Sequence, residues 1–223
     1  AHAEEFYYTA FHDRPDTTLI PAIVAATARS GAYVTPNLST FEAISRQWGK
    51  PEVVSRFLQD PRAHLMTPAM RLDWQDMDYA RRTGNLEEQW TYLRVFTRAL
   101  SDAGVPLLTG TDSPVIPGMY PGYSIHDDLR TLVEAGLSPY EALRAATRTP
   151  GEFIAQSVPG SERFGMVKVG MRADLVLVEH DPFEGLETLR SPLGVMGGGR
   201  WRSRDELSAL LASRKARYDA LLR

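Results

Sequence analysis

The chain has 223 residues, with 25 Lys and Arg against 28 Asp and Glu, 43% hydrophobic residues, 24% charged residues and no cysteine. That balance is of an ordinary globular protein rather than a disordered one, no apolar run reaches the roughly 18 residues of a membrane helix, and a net charge of -3 gives no electrostatic reason to expect a nucleic acid or membrane partner. Without cysteine there are no disulfides, no thiolate nucleophile and no thiolate metal site, so a metal would have to be held by His, a carboxylate or a modified side chain.

The chain opens Ala-His-Ala-Glu-Glu, with no Met, no basic stretch and no apolar stretch. It does not read as a signal peptide. A processed terminus and the later part of a longer protein both stay open, and the compartment with them; the lack of disulfides points to the cytoplasm only weakly.

Thr17 to Ser30 carries Leu19, Ile20, Ile23, Val24 and Ala26 at helical spacing, with Gly31 as the stop. Ala32 to Pro36 is short and β-prone and predicts a strand. Residues 40–104 predict helices: Phe41 to Trp48, Pro51 to about Gln59, one opened by Pro68 and broken by Gly84, and Leu86 to Ala103 with Trp90, Leu93, Phe96 and Leu100 on one stripe. Val105 to Thr109 predicts a short apolar strand that runs into Gly110-Thr111-Asp112-Ser113. Pro114 to Tyr123, with three Pro and two Gly, predicts a loop at the edge of a pocket. Ser124 starts a helix that Gly136 ends. Ser138-Pro139 with Glu141 predicts a capped helix start, and Pro150 opens a short last turn. Beyond Gly160 the Gly-punctuated segments through Ala173–Val178 and Gly194–Trp201 predict turns and strands, and Arg204 to Arg223 an amphipathic helix. Helices and strands alternating in this order suggest a parallel α/β architecture. Two strands in the first 150 residues neither close a barrel nor make a good open sheet, so the chain reads as part of a larger α/β protein.

Asp112 is the sharpest chemical candidate, just past the carboxyl end of a predicted buried strand, where parallel α/β proteins gather catalytic groups. An Asp that only caps a helix or closes an Asx turn fits as well. His2 is either a solvated terminal residue or a ligand. His126, Asp127 and Asp128 open a helix and suit its dipole as surface groups. His12, His64 and His180 have no metal-ligand spacing, and Gly197-Gly198-Gly199 lacks the Lys-Ser/Thr of a phosphate loop and suits a tight turn between strands.

Taken in order, Leu107–Ser113, Asp127–Pro139, Glu141–Thr147 and Gly165–Val178 resemble the amidohydrolase superfamily, in particular its imidazolonepropionase-like and Xaa-Pro-dipeptidase-like members. The resemblance spans nearly the whole chain but only the later part of the family pattern. It implies the carboxyl-terminal part of a (β/α)8 barrel, strands six to eight, over residues 1–158, part of a small β domain over residues 159–202 and a closing helix over residues 203–223. It implies metal-dependent hydrolysis of an amide bond, in a cyclic amide or a short peptide, with a divalent metal, zinc being the expected ion, present as one or two ions. Asp112 corresponds to the Asp after strand eight, which binds metal and carries a proton from water to the leaving group. His2 corresponds to a metal-binding His after strand six. The family's His-x-His, its bridging carboxylated Lys and its further His are not in this sequence. The resemblance therefore implies a truncated hydrolase, inactive alone, that needs the missing amino-terminal half or a second copy. The other reading is a catalytically inactive assembly or binding module in which Asp112 caps a helix; metal bound at His2 and Asp112 would separate the two. A nucleotide-binding protein ranks last, since no glycine fingerprint is present.

Overall fold

The computed structural model describes residues 14–221. A 3-10 turn at Thr17–Leu19, capped by the Asp16 carboxylate on the Thr18 N–H, leads into helix α1 (Ile20–Ser30). Gly31 ends α1 in the left-handed conformation, as its place in the sequence predicts. Helices α2 (Leu38–Gln47), α3 (Pro51–Gln59) and α4 (Pro68–Asp76) come next, with 3-10 turns at Pro61–Leu65 and Asp78–Arg81. Pro51 and Pro68 stand in the first turns of their helices, where the missing N–H costs nothing. The helix opened by Pro68 stops well short of Gly84.

Helix α5 (Glu87–Asp102) buries Leu93 and Leu100 and half-buries Trp90 and Phe96, the stripe its spacing predicts. Helices α6 (Ser124–Glu134), α7 (Pro139–Ala146) and α8 (Arg148–Ser157) complete the helical part. Pro150 does not open α8 but sits third in it, still within the first turn. The main core lies among α1, α2, α5, α6 and α7, where Leu38, Leu132 and Ala142 are fully buried and Leu107 joins them. Two smaller clusters, one around Ile44, Trp48 and Met119 and one around Met66, Trp74 and Tyr120, pin the loop after Asp112 to α2–α4.

The two strands expected before residue 150 are extended segments joined at one point, a parallel bridge between Val34 and Leu107. Val34 N–H donates to Pro106 O at 3.0 Å and Leu108 N–H donates to Val34 O at 2.8 Å. One step earlier the ladder would need a donor at Pro106, and one step later a donor at Pro36. Proline has no N–H, so the pairing stops on both sides of a single bridge.

The carboxyl-terminal part holds strands β1 (Leu175–Leu177), β2 (Gly194–Gly197) and β3 (Arg200–Ser203) in an antiparallel sheet of order β1-β2-β3. Gly198 and Gly199, both at positive φ, make the tight β2–β3 turn, as the Gly-Gly-Gly run predicts. Helix α9 (Arg204–Ala220) buries none of its residues. Polar contacts attach it instead: Arg214 Nε donates to Leu65 O at 3.2 Å, and His64 Nδ1 lies 2.8 Å from Asp219 Oδ1. Among the described residues no helix is long and apolar enough to cross a membrane.

Candidate functional site

The bridged segments run parallel, so their carboxyl ends emerge together. One delivers Asn37, directly after Pro36; the other delivers Asp112. Asn37 Nδ2 donates to Asp112 Oδ2 at 3.3 Å. Asn37 has φ 50° and Asp112 has φ 47°, and they are the two non-glycine residues at positive φ among the described residues. Asp and Asn tolerate this conformation better than other side chains, yet it still costs of order 1 kcal/mol each. Strain held in two residues that bond each other, at the carboxyl ends of parallel segments, marks a built site.

The surroundings hold that geometry. Thr40 Oγ1 donates to Thr111 O at 2.9 Å, and Ser113 Oγ donates to Met119 O at 2.8 Å. Trp74 Nε1 donates to Pro114 O at 2.6 Å and Gln47 Nε2 to Pro117 O at 3.1 Å. The Ser113–Pro114 peptide is cis. Gly110 has no room for a side chain: a Cβ there would run into Asn37 Oδ1 and the Thr35 methyl. Glycine lets the two segments close to contact distance.

Beneath the pair lies Asp128, which sequence reasoning assigned with its neighbours to the surface. It is 1% exposed. Its Oδ1 accepts from Ser39 N at 3.2 Å and Ser39 Oγ at 3.1 Å, and its Oδ2 accepts from Gly110 N at 3.1 Å. Burial pushes its pKa up to about 6, against the pull of these donors, and the nearby Asp112 charge adds to the rise. His126, two residues earlier, is half-buried with no hydrogen bond to Nδ1, and burial together with Arg190 lowers its pKa. Asn37 was missed as well; the signal available was an Asn placed directly after a strand-ending proline.

Asp112 itself is exposed at the edge. His2 lies outside the described residues, so its place relative to Asp112 is not part of this geometry. The donor chemistry gives a plain test of metal fit. Among the described residues no group of three His, Cys, Asp or Glu side chains could hold an ion, whereas a catalytic zinc takes three protein ligands. The described residues fit one ligand of such an ion, Asp112, and not a complete site.

The loop from Pro114 to Tyr123 edges two cavities. One, of about 230 Å³, is lined by Gly118, Met119 and Tyr120 with Arg46, Arg56 and Arg62. The other, about 900 Å³, is an open groove between Pro121–Tyr123, the sheet and α9. Asp112 lines neither.

The sequence pattern of the amidohydrolase family matches residues 2–191. Ochratoxinase of Aspergillus niger is 27% identical over 121 residues, which cover 50% of this chain and 23% of that protein. Among solved structures, a bottromycin amidohydrolase matches with a TM-score of 0.63 at 27% identity, covering 84% of this chain and 40% of that one. A Xaa-Pro dipeptidase with bound methionine in its active site matches with a TM-score of 0.52 at 17% identity, over 84% of this chain and 37% of the other, a likeness of fold. The chain thus spans about a quarter of the length of the curated relative and about two fifths of these solved chains.

Proposed function

The chain belongs to the amidohydrolase family, and from that premise we propose that the protein carrying it hydrolyses an amide C–N bond, in a cyclic amide or a short peptide, with Asp112 as the reacting carboxylate. The observation that carries this reading is the strained Asn37–Asp112 pair at the carboxyl ends of the bridged segments. The name of one similar solved protein, a bottromycin amidohydrolase, supports this reaction class.

In this reading the Asp112 carboxylate takes a proton from the attacking water as its oxygen bonds the amide carbon. It then returns the proton to the amide nitrogen as the C–N bond breaks, leaving a carboxylic acid and an amine. The Asn37 Nδ2 donor turns Asp112 and keeps it in one orientation through both transfers. A divalent metal, with zinc first among candidates, would supply a more acidic water and a polarised carbonyl, with Asp112 as one ligand and His2 as the proposed second. Residues 1–158 are assigned to the carboxyl-terminal part of a barrel, strands six to eight, and residues 159–202 to part of a small β domain. The antiparallel β1–β3 sheet supports the second assignment.

The 223-residue chain alone is expected to show negligible turnover with added zinc or manganese, since its described residues offer one ligand. In the whole protein, Asp112→Asn should lower kcat by about 10²–10⁴-fold, the usual weight of a positioned acid–base group, with an unchanged circular dichroism spectrum. Unaltered kcat in a folded Asp112→Asn protein would assign Asp112 to a capping role; a whole protein without amide-hydrolysing turnover would favour a binding module.

A further inference from the structure

We infer that Asp128 is a positioning residue whose buried carboxylate ties together the two chain segments that carry Asn37 and Asp112 and sets the spacing of that pair. The inference rests on the reading of Asp112 as the reacting group, but its geometry stands independently.

A carboxylate at 1% exposure is rare unless it is paired. Among the described residues no Lys or Arg pairs with Asp128. Its partners are neutral and come from two distant stretches: Ser39, 89 positions away, on Oδ1, and Gly110, 18 positions away, on Oδ2. Each contact is two residues from a site side chain, Ser39 after Asn37 and Gly110 before Asp112. One oxygen therefore serves each arm of the site.

The clamp acts where the backbone pairing fails. Continued one step, the parallel ladder would give the Gly110 N–H to Pro36 O. Pro36 cannot supply the matching donor, and the Gly110 N–H goes to Asp128 instead. The side chain on α6 thus replaces a missing rung, at the point where the segments diverge toward Asn37 and Asp112. Gly110 also packs directly under the Asn37 amide, so fixing Gly110 fixes the surface on which that amide lies. An ordinary hydrogen-bonding core residue would not need a carboxylate. Ser39 presents N–H and O–H and Gly110 presents N–H, so all the groups facing Asp128 are donors. An Asn at the same place would turn its NH₂ toward one of them and lose that arm. The energetic price of burying the acid, visible as its raised pKa, is accepted for an acceptor on both sides.

The experiment is nuclear magnetic resonance on the labelled 223-residue chain. In the wild-type chain, couplings across the hydrogen bonds should link the Gly110 and Ser39 amide nitrogens to the one Asp128 Cγ; absence of either coupling overturns the inference without any variant. In Asp128→Asn, protection of the Gly110 or Ser39 amide against exchange should fall by at least about tenfold, the weight of a hydrogen bond to a charged group. The Asn37 side-chain NH₂ signals should shift with it, while amides of α7 and the β2–β3 turn stay in place. A folded Asp128→Asn chain with unmoved Asn37 signals would mean that Asp128 serves packing alone. A failure of the Asp112 reading shows elsewhere, as unaltered kcat of Asp112→Asn in the whole protein, and leaves these couplings as they are.

Discussion

Asp128 carries a proton balance that can be read from outside the site. Its folded pKa, about 6, lies above the ordinary 3.8. Between roughly pH 4 and pH 6 the folded chain therefore holds a proton there that the unfolded chain has lost. Stability from this group is greatest at the acid end and falls as pH rises through that window, then stays level. Other carboxylates slope the opposite way: Asp60, held low chiefly by its Arg62 hydrogen bond, and Glu141, held low by the Ser138 N–H and hydroxyl. The clean measurement is the difference between wild type and Asp128→Asn in urea unfolding at each pH. That difference should shrink by about 2 kcal/mol from pH 4 to pH 6.5, a little under two pKa units of linkage; a flat difference would contradict the burial-driven shift. The place of Asp112 just past an extended segment was legible in the sequence because its motif is local. Asp128 was not, because an acid at the start of a helix suits the dipole equally well, and only folding brings Ser39 and Gly110 to it.

Helix ends show why local chemistry was readable. Ser138 and Glu141 bond reciprocally around the start of α7, and Ser203 and Glu206 repeat the same box at the start of α9. Past their caps the two helices diverge: α7 buries Ala142 and Ala145, whereas α9 buries nothing. Removing either cap should cost about 1 kcal/mol of local helix stability. For Ser138→Ala that loss should reach the global unfolding, lowering Tm by roughly 2–4 °C. For Ser203→Ala it should appear as faster amide exchange confined to α9, with Tm nearly unchanged. Equal Tm losses would show that α9 is held as firmly as α7. The caps, glycine stops and helix stripes were all written locally. The extended segments were legible too, but their single bridge needed Pro36 and Pro106 to be set opposite one another, which only pairing reveals.

Across the molecule, apolar surface is distributed unevenly. Val176, Leu177 and Trp201 on the sheet and Leu210 and Leu211 on α9 are each more than two fifths exposed, and several of them border the 900 Å³ groove. The outer strands β1 and β3 each pair on one side only within this three-stranded sheet, and exposed edges and apolar patches recruit other chains. The 223-residue chain should therefore self-associate as concentration rises, seen as increasing mass in light scattering. A Val176→Lys, Leu210→Glu double variant should move it toward monomer. A wild-type chain that stays monomeric at all concentrations would assign these faces to solvent. The helical core and the small sheet were both anticipated from the sequence; which faces lack a covering was not, because periodicity marks an apolar stripe without saying what meets it.

The lone bridge has a consequence for alignment. A single rung should slide easily, since few hydrogen bonds resist it. A slip that set Val34 against Val105 would demand a donor from Pro106, which has none. A slip the other way, setting Val34 against Thr109, would demand the Gly110 N–H, which Asp128 already holds. One direction is barred by covalent structure and the other by a side chain on α6, so the register between the arms is unique although almost no ladder enforces it. Loss of the Asp128 carboxylate unlocks one direction only, and it carries Asp112 two residues toward the bridge, out of the spacing at which it now meets Asn37.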